Sequence, residues 1–251
     1  MHSVLDTFKL EKRVAIITGS ARGLGRAIAE AFASAGASVV ITSRDPAAAK
    51  QAAEEVANAS GKECLGLELD VRKQDQIDAA IAEVLSRFGR IDILVNNAGI
   101  THRGSVSELS EAQWDEVLDT NLKGAWLCSR AIRPAMQDRG GRILNIASMF
   151  SSVALPERSP YVASKGGMAA LTRALAVEFA PDKILVNALA PGPFQTSLAN
   201  KQARAGLLET IPLQRFGQAQ ELGPAALFLC SDAAAFVTGA TLAVDGGYTA
   251  R

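Results

Sequence analysis

Short runs of β-branched and aliphatic residues recur along the chain, separated by longer alanine-rich stretches with helical spacing. The runs are VAIIT (14–18), SVVIT (38–42), LGLEL (65–69), IDILV (91–95), RILNIA (142–147), ILVNALA (184–190) and TLAVD (241–245). Their apolar positions are largely continuous rather than alternating, so they predict strands buried on both faces, with helices above and below a mostly parallel sheet. Strand and helix alternate, as in β-α-β units. The pattern therefore predicts an α/β fold: a doubly wound, mostly parallel, seven-stranded sheet of Rossmann type.

Helix boundaries agree with this. Asp45 and Pro46 suit an N-cap and first helical residue, Ser110 to Gln113 a capping box, and Gly36, Gly61 and Gly89 helix ends. No linker, repeat or low-complexity tract divides the chain, which reads as one domain over residues 1–251. From Pro191 to Gln220 no clear strand appears, and Pro191, Gly192, Pro193, Pro212 and Gly217 break the stretch into short pieces. Its composition fits either a flap over a site or an ordinary surface excursion.

Charge narrows the partners. Lys+Arg and Asp+Glu number 26 each, leaving no basic field to hold a nucleic acid or an anionic membrane. Cys64, Cys128 and Cys230 are odd in number, widely spaced and flanked by apolar residues. They read as reduced core thiols rather than a disulfide frame or a metal site. The first residues lack the pattern of a signal peptide, and no apolar run reaches the ~18 residues of a membrane span. A cytoplasmic protein is the expectation.

The first predicted strand leads into TGSARGLG (18–25), followed directly by the helical AIAEAFASA. Gly19, Gly23 and Gly25 permit a tight turn and close approach of backbone. With Ala21, Arg22 and Leu24 they place free N–H groups at a helix start, where a dinucleotide pyrophosphate binds. At the end of the second strand the chain reads TSRD. Arg44 can pair with a 2′-phosphate, Ser43 can donate a hydrogen bond to it, and Arg22 can approach from the other side. NADP(H) is favoured. NAD(H) is the alternative, because Asp45 lies where a carboxylate could take the ribose diol, although its place before Pro46 reads better as an N-cap.

TGSARGLG, NNAG (96–99), Asn121, Ser148, YVASK (161–165) and Pro191-Gly192, in this order, resemble the short-chain dehydrogenase/reductase family from about Lys12 to Tyr248. Tyr161 and Lys165 lie four apart on one helix face, and Ser148 closes the strand before them, so all three can converge at the carboxyl edge of the sheet. A lysine ammonium beside a phenol should lower the phenol pKa and make it a usable acid or base.

The resemblance implies hydride transfer between a nicotinamide and a secondary alcohol or ketone. Tyr161 protonates the forming alkoxide, Ser148 hydrogen-bonds the same oxygen, Lys165 also holds the nicotinamide ribose, and Asn121 anchors a water chain. By the same resemblance Asn96, Asn97, Ala98 and Gly99 line the cofactor cleft, and Asp70 and Val71 border the adenine. Pro191, Gly192 and Thr196 match a P-G-x-x-x-T stretch facing the cofactor, although its Ile/Val position is not clearly filled. Lys183 departs from a glycine often found before the strand. A homotetramer is implied, with helices around 110–138 and 160–180 in one interface and the C-terminal segment in another.

After NNAG comes ITHRG, which borders the substrate side in this fold. His102 and Arg103 are either solvated loop residues or carboxylate ligands, Arg103 bidentate and His102 assisting. This loop, NIASMFS and AVDGGYTAR resemble gluconate 5-dehydrogenases and related sugar-acid dehydrogenases, and the other motifs are shared with 3-oxoacyl-(acyl carrier protein) reductases. A sugar acid or polyol is slightly favoured. A non-catalytic nucleotide sensor is the reading from another class, and the retained Ser148, Tyr161 and Lys165 argue against it.

Overall fold

The computed structural model describes residues 3–195 and 206–250. All seven apolar runs become strands, displaced from the expected limits by no more than a residue or two: β1 Val14–Ile17, β2 Ser38–Ser43, β3 Cys64–Glu68, β4 Ile93–Asn96, β5 Gly141–Ile146, β6 Ile184–Pro191 and β7 Thr241–Val244. They form one sheet in the order β3-β2-β1-β4-β5-β6-β7. Every pairing is parallel. Among the described residues, the main helices between strands are α1 Gly23–Ser34, α2 Pro46–Ser60, α3 Gln74–Phe88, α4 Glu111–Leu118, α5 Gly124–Met136, α6 Ser159–Phe179 and α7 Gly223–Cys230. None of these is long and apolar enough to cross a membrane.

Alternate residues of β1 and β4 feed two separate cores. Ala15, Ile17, Ile93 and Val95 pack with Ile28, Phe32 and Val56 of α1 and α2 and with Ala226 and Leu229 of α7. Val14, Ile16 and Leu94 pack with Ile77 and Val84 of α3, Ile132 and Met136 of α5, and Leu175 and Phe179 of α6. Covering both faces is what makes the strand sequences continuously apolar.

The chain punctuation is that expected. Asp45 caps α2 through its side chain with Pro46 following, Ser110 and Gln113 form a capping box on α4, and Gly61 and Gly89 end α2 and α3 with φ of 68° and 71°. Lys183, at φ 58°, occupies a left-handed position just before β6, which explains the glycine preference there.

The order of strands reverses between β1 and β4, so the loops leaving their carboxyl ends part from each other. Open α/β sheets bind ligands in the crevice so formed. Both the glycine turn and NNAG leave the sheet at this point.

Candidate active site

The two motifs at the crevice are interlocked. Thr18 Oγ1 accepts from the backbone N–H groups of Asn97 (2.9 Å) and Ala98 (3.0 Å), while Asn97 Nδ2 donates to the carbonyls of Thr18 (2.8 Å) and Gly19 (2.9 Å). Gly19 and Gly23 hold φ of +61° and +64°. The N-cap of α1, Arg22, makes no side-chain hydrogen bond to the helix. Amides of the first turn are thus left without a side-chain cap behind a left-handed glycine, which is the donor set a pyrophosphate requires. Asn96, expected in the cleft with its neighbours, instead turns to the other face. There its Nδ2 donates to Asn145 Oδ1 and Ser129 Oγ at 2.9 and 3.1 Å, and its Oδ1 is buried without a partner.

Beyond β2, the carboxylate of Asp45 is consumed by α2, accepting from Ala47 N (3.0 Å) and Ala48 N (3.2 Å). Arg22 and Arg44 are exposed. Ser43 Oγ accepts from Asp45 N at 3.1 Å. Asp70 is buried and held below the usual carboxylate range by hydrogen bonds from Arg72, whose Nη2 lies 2.6 Å from Oδ2. Val71 packs where a Cβ on Gly124 would come within 2.6 Å of its Cγ2, tying the end of β3 to α5.

Ser148 stands two residues past β5, buried, and its Oγ accepts from Phe150 N at 3.2 Å. Tyr161 lies in the first turn of α6 with the Phe150 ring against it edge-on, centroids 5.9 Å apart. A hydrogen bond from Ser148 favours the Tyr161 phenolate. Lys165 is one turn further on; its Nζ is buried, donates to Ile146 O at 2.7 Å and lies 5.6 Å from the Tyr161 ring centroid. The three residues therefore converge as their spacing suggests.

The electrostatics differ from the expectation. Burial pushes the Tyr161 phenol up, against the downward pull of Ser148 and of the Arg158 guanidinium, and burial pushes the Lys165 ammonium down to about 8. The lysine is directed at a backbone carbonyl, and desolvation outweighs every neighbouring charge on the phenol.

Asn121 sits in a single π turn, Asp119–Lys123, between α4 and α5. It is fully buried. Its Oδ1 accepts from Ile100 N (2.8 Å), and its Nδ2 donates to Ile100 O and Ser164 Oγ, both at 3.0 Å. Ser164 in turn donates to Tyr161 O at 2.8 Å. Asn121 is the joint between the loop after NNAG and the helix that carries the tyrosine. A Cβ on Gly99 would come within 3.2 Å of Asn121 Oδ1, so the motif glycine gives this joint room.

Pro191 ends β6, and Gly192 donates its N–H to Val244 O at 3.0 Å. A Cβ on Gly192 would lie 2.5 Å from Asp245 Cα, so only glycine fits. Thr196 lies outside the described residues. The two described arms of the expected flap meet where Gln195 N donates to Gly217 O (2.8 Å) and Gly217 N donates to Pro193 O (3.0 Å).

On the substrate side, His102 and Arg103 part company. His102 Nε2 is 2.9 Å from Glu116 Oε2 on α4, so its ring is engaged there rather than beside Arg103. Arg103 is exposed. The residues that spacing did not reveal are Thr18, which holds the two motifs together, Phe150, which fixes the phenol ring, and Arg158, whose guanidinium lies over the Phe150 ring at 5.4 Å. The visible signal for Arg158 was a cation immediately before a helix that opens Ser-Pro.

A family model described as enoyl-(acyl carrier protein) reductase matches residues 19–249. A 3-oxoacyl-[acyl-carrier-protein] reductase of Aquifex aeolicus is 40% identical over 243 residues, 95% of this chain and 98% of that protein. An NAD-dependent glycerol dehydrogenase of Listeria innocua is 38% identical over 250 residues, 97% of this chain and 96% of that protein. Among solved structures, a gluconate 5-dehydrogenase from Burkholderia cenocepacia in complex with NADP and tartrate superposes with a TM-score of 0.95 at 39% identity, covering 99% of this chain and 100% of that one.

Proposed function

We propose, from the premise that the chain belongs to the short-chain dehydrogenase/reductase family, that it is an NADP(H)-dependent oxidoreductase interconverting a secondary alcohol and a ketone, with a sugar acid as the favoured substrate class. The observation that carries the reading is the convergence of Ser148, Tyr161 and Lys165 at the carboxyl edge of the sheet, beside an uncapped helix start.

A bound nicotinamide supplies or accepts the hydride. The Tyr161 hydroxyl gives its proton to the substrate oxygen during reduction and takes it back during oxidation. Ser148 Oγ hydrogen-bonds the same oxygen and steadies the charge that develops on it. Lys165 would hold the nicotinamide ribose, and Asn121 would position the water that resupplies the proton. Gly19, Ala21, Arg22, Gly23, Leu24 and Gly25 would cradle the pyrophosphate, and Asn97, Ala98 and Gly99 the nicotinamide side.

NADP(H) is favoured over NAD(H) by Arg22 and Arg44, which have no ion-pair partner among the described residues, and by Asp45, whose carboxylate is committed to capping α2. NADP in the Burkholderia cenocepacia structure agrees with this; the NAD-dependent Listeria innocua relative does not. Arg103 would take the substrate carboxylate. The second reading is 3-oxoacyl-(acyl carrier protein) reduction, supported by the Aquifex aeolicus relative.

A panel of sugar acids, polyols, steroids and 3-oxoacyl thioesters, assayed by nicotinamide absorbance with Tyr161→Phe as the blank, tests both readings. Gluconate oxidation with NADP supports the first; its absence alongside rapid acetoacetyl-thioester reduction supports the second. In the same assay Arg44→Ala should lose selectivity for NADP over NAD by about 10- to 100-fold, as expected for a removed charge-assisted pair. A clear NAD preference in the wild type would refute the cofactor assignment.

A further inference from the structure

The turn before α6 breaks three local rules at once. Arg158 is the N-cap of the helix, yet it makes no side-chain capping bond, and its positive charge sits at the end of the helix where anions are favoured. The residue before it, Glu157, is held at φ 62°, a left-handed conformation that costs energy for any side chain with a Cβ. Finally, burial, and after it the like charge of nearby Arg103, hold the Arg158 guanidinium below the ordinary arginine range.

The two arginines come from separate loops, joined by a backbone hydrogen bond from Gly104 N to Glu157 O at 3.2 Å. Neither has a carboxylate within ion-pair distance among the described residues. Arg158 is instead oriented by the face of Phe150 (5.4 Å), the ring that also packs edge-on against Tyr161 (5.9 Å). A cation–π contact leaves the planar N–H edge of a guanidinium available for a bidentate acceptor.

We propose that Arg158 is a specificity-determining residue which, with Arg103, forms a two-arginine clamp for an anionic group of the substrate, a carboxylate, held beside Tyr161. The proposal deepens the sugar-acid reading above and rests on it for the identity of the substrate, but the clamp itself can be tested without turnover. An arriving carboxylate neutralises the like charges and satisfies the helix start, so the local costs in the free protein become discrimination against neutral substrates.

The test uses the full-length enzyme and two readouts. In steady-state kinetics, Arg158→Gln should lower kcat/KM for gluconate about 10- to 100-fold more than kcat/KM for sorbitol, a neutral polyol, the range expected for a lost hydrogen-bonded charge; any change in kcat from the lost pull of Arg158 on Tyr161 is common to both substrates. Arg158→Lys should recover only part of the loss, because it lacks the bidentate fork. By calorimetry in the presence of NADP, malonate, a non-reacting dicarboxylate, should bind the wild type and lose affinity to a similar degree in Arg158→Gln and in Arg103→Gln. Equal losses toward gluconate and sorbitol, or malonate binding unchanged in Arg158→Gln, would overturn the clamp. If gluconate is not oxidised but malonate binding depends on both arginines, the clamp stands and the sugar-acid assignment falls.

Discussion

The side-chain amide of Asn97 fills the space that a β-carbon would need at Gly25: a methyl group there would collide with Asn97 Nδ2 and come within 3.0 Å of Ser20 Cα. The glycine turn and NNAG, distant in sequence, are two halves of one device. Asn97 holds the carbonyls of Thr18 and Gly19, and Gly25 leaves it room to do so.

Gly25→Ala should therefore act on both stability and cofactor binding. Overpacking costs ~1–3 kcal/mol, and displacing Asn97 forfeits about 1 kcal/mol for each hydrogen bond it makes. A lower melting temperature is expected, with affinity for the nicotinamide cofactor, NADPH on the proposed assignment, reduced at least about tenfold by fluorescence titration. A variant that melts like the wild type and binds NADPH as tightly would show that the two motifs are independent.

Asn121→Ala should lower stability and, if Asn121 serves the proposed proton supply, turnover as well. It leaves Ile100 N and Ile100 O without their side-chain partner and removes the donor to Ser164. Stranding buried polar groups costs ~1–3 kcal/mol each. A melting curve separates the cases: a drop of several degrees fits the joint described above, whereas an unchanged melt with lost activity would confine Asn121 to the chemistry.

Strand limits, the two-sided burial of the sheet and the helix caps were legible in the chain because each depends on residues close in sequence. Asp45 beside Pro46 is the clearest case, where a local signal correctly assigned a carboxylate to capping. The converging Ser148, Tyr161 and Lys165 were legible for the same reason, since one helix face and one strand end determine their placement. What could not be read was whatever depends on burial or on contacts across the fold. Desolvation reverses the expected shift of the Tyr161 phenol. Glu116, on another helix, takes His102, and Asn145 and Ser129 draw Asn96 away from the cleft. The Arg158 turn has a sequence signal, but its meaning needs the Gly104–Glu157 hydrogen bond.

Lys183→Gly should stabilise the protein without touching the site. At φ 58° the lysine backbone is strained, and its side chain is exposed, so little packing is lost. Relief of the left-handed conformation (~1–2 kcal/mol) exceeds the extra entropy of an unfolded glycine (~0.4–1 kcal/mol). A net gain of ~0.5–1 kcal/mol corresponds to a rise of about 1–4 °C in melting temperature for a chain of this size. A lower melting temperature would mean that the lysine makes compensating contacts.

The opposed shifts of Tyr161 and Lys165 determine how activity and stability depend on pH. Lys165 is cationic below about 8 and neutral above it, while the raised phenol stays protonated past the ordinary tyrosine value. On the proposed mechanism ketone reduction draws on the phenol proton, and kcat/KM should then be flat toward neutral pH and fall above about 8, as the free enzyme loses the ammonium. For stability the sign follows from proton binding. Between about 8 and ~10.4 the unfolded chain holds the Lys165 proton and the folded chain does not, so this group makes the protein more stable as pH rises through that window, after costing stability below it. Lys165→Met should remove both effects together. Activity should fall at least about 100-fold, the break near 8 should vanish, and melting temperature at pH 7 should be equal or higher than in the wild type. Parallel melting-temperature profiles for the two proteins between pH 7.5 and 9.5 would show that the buried ammonium is not the group responsible.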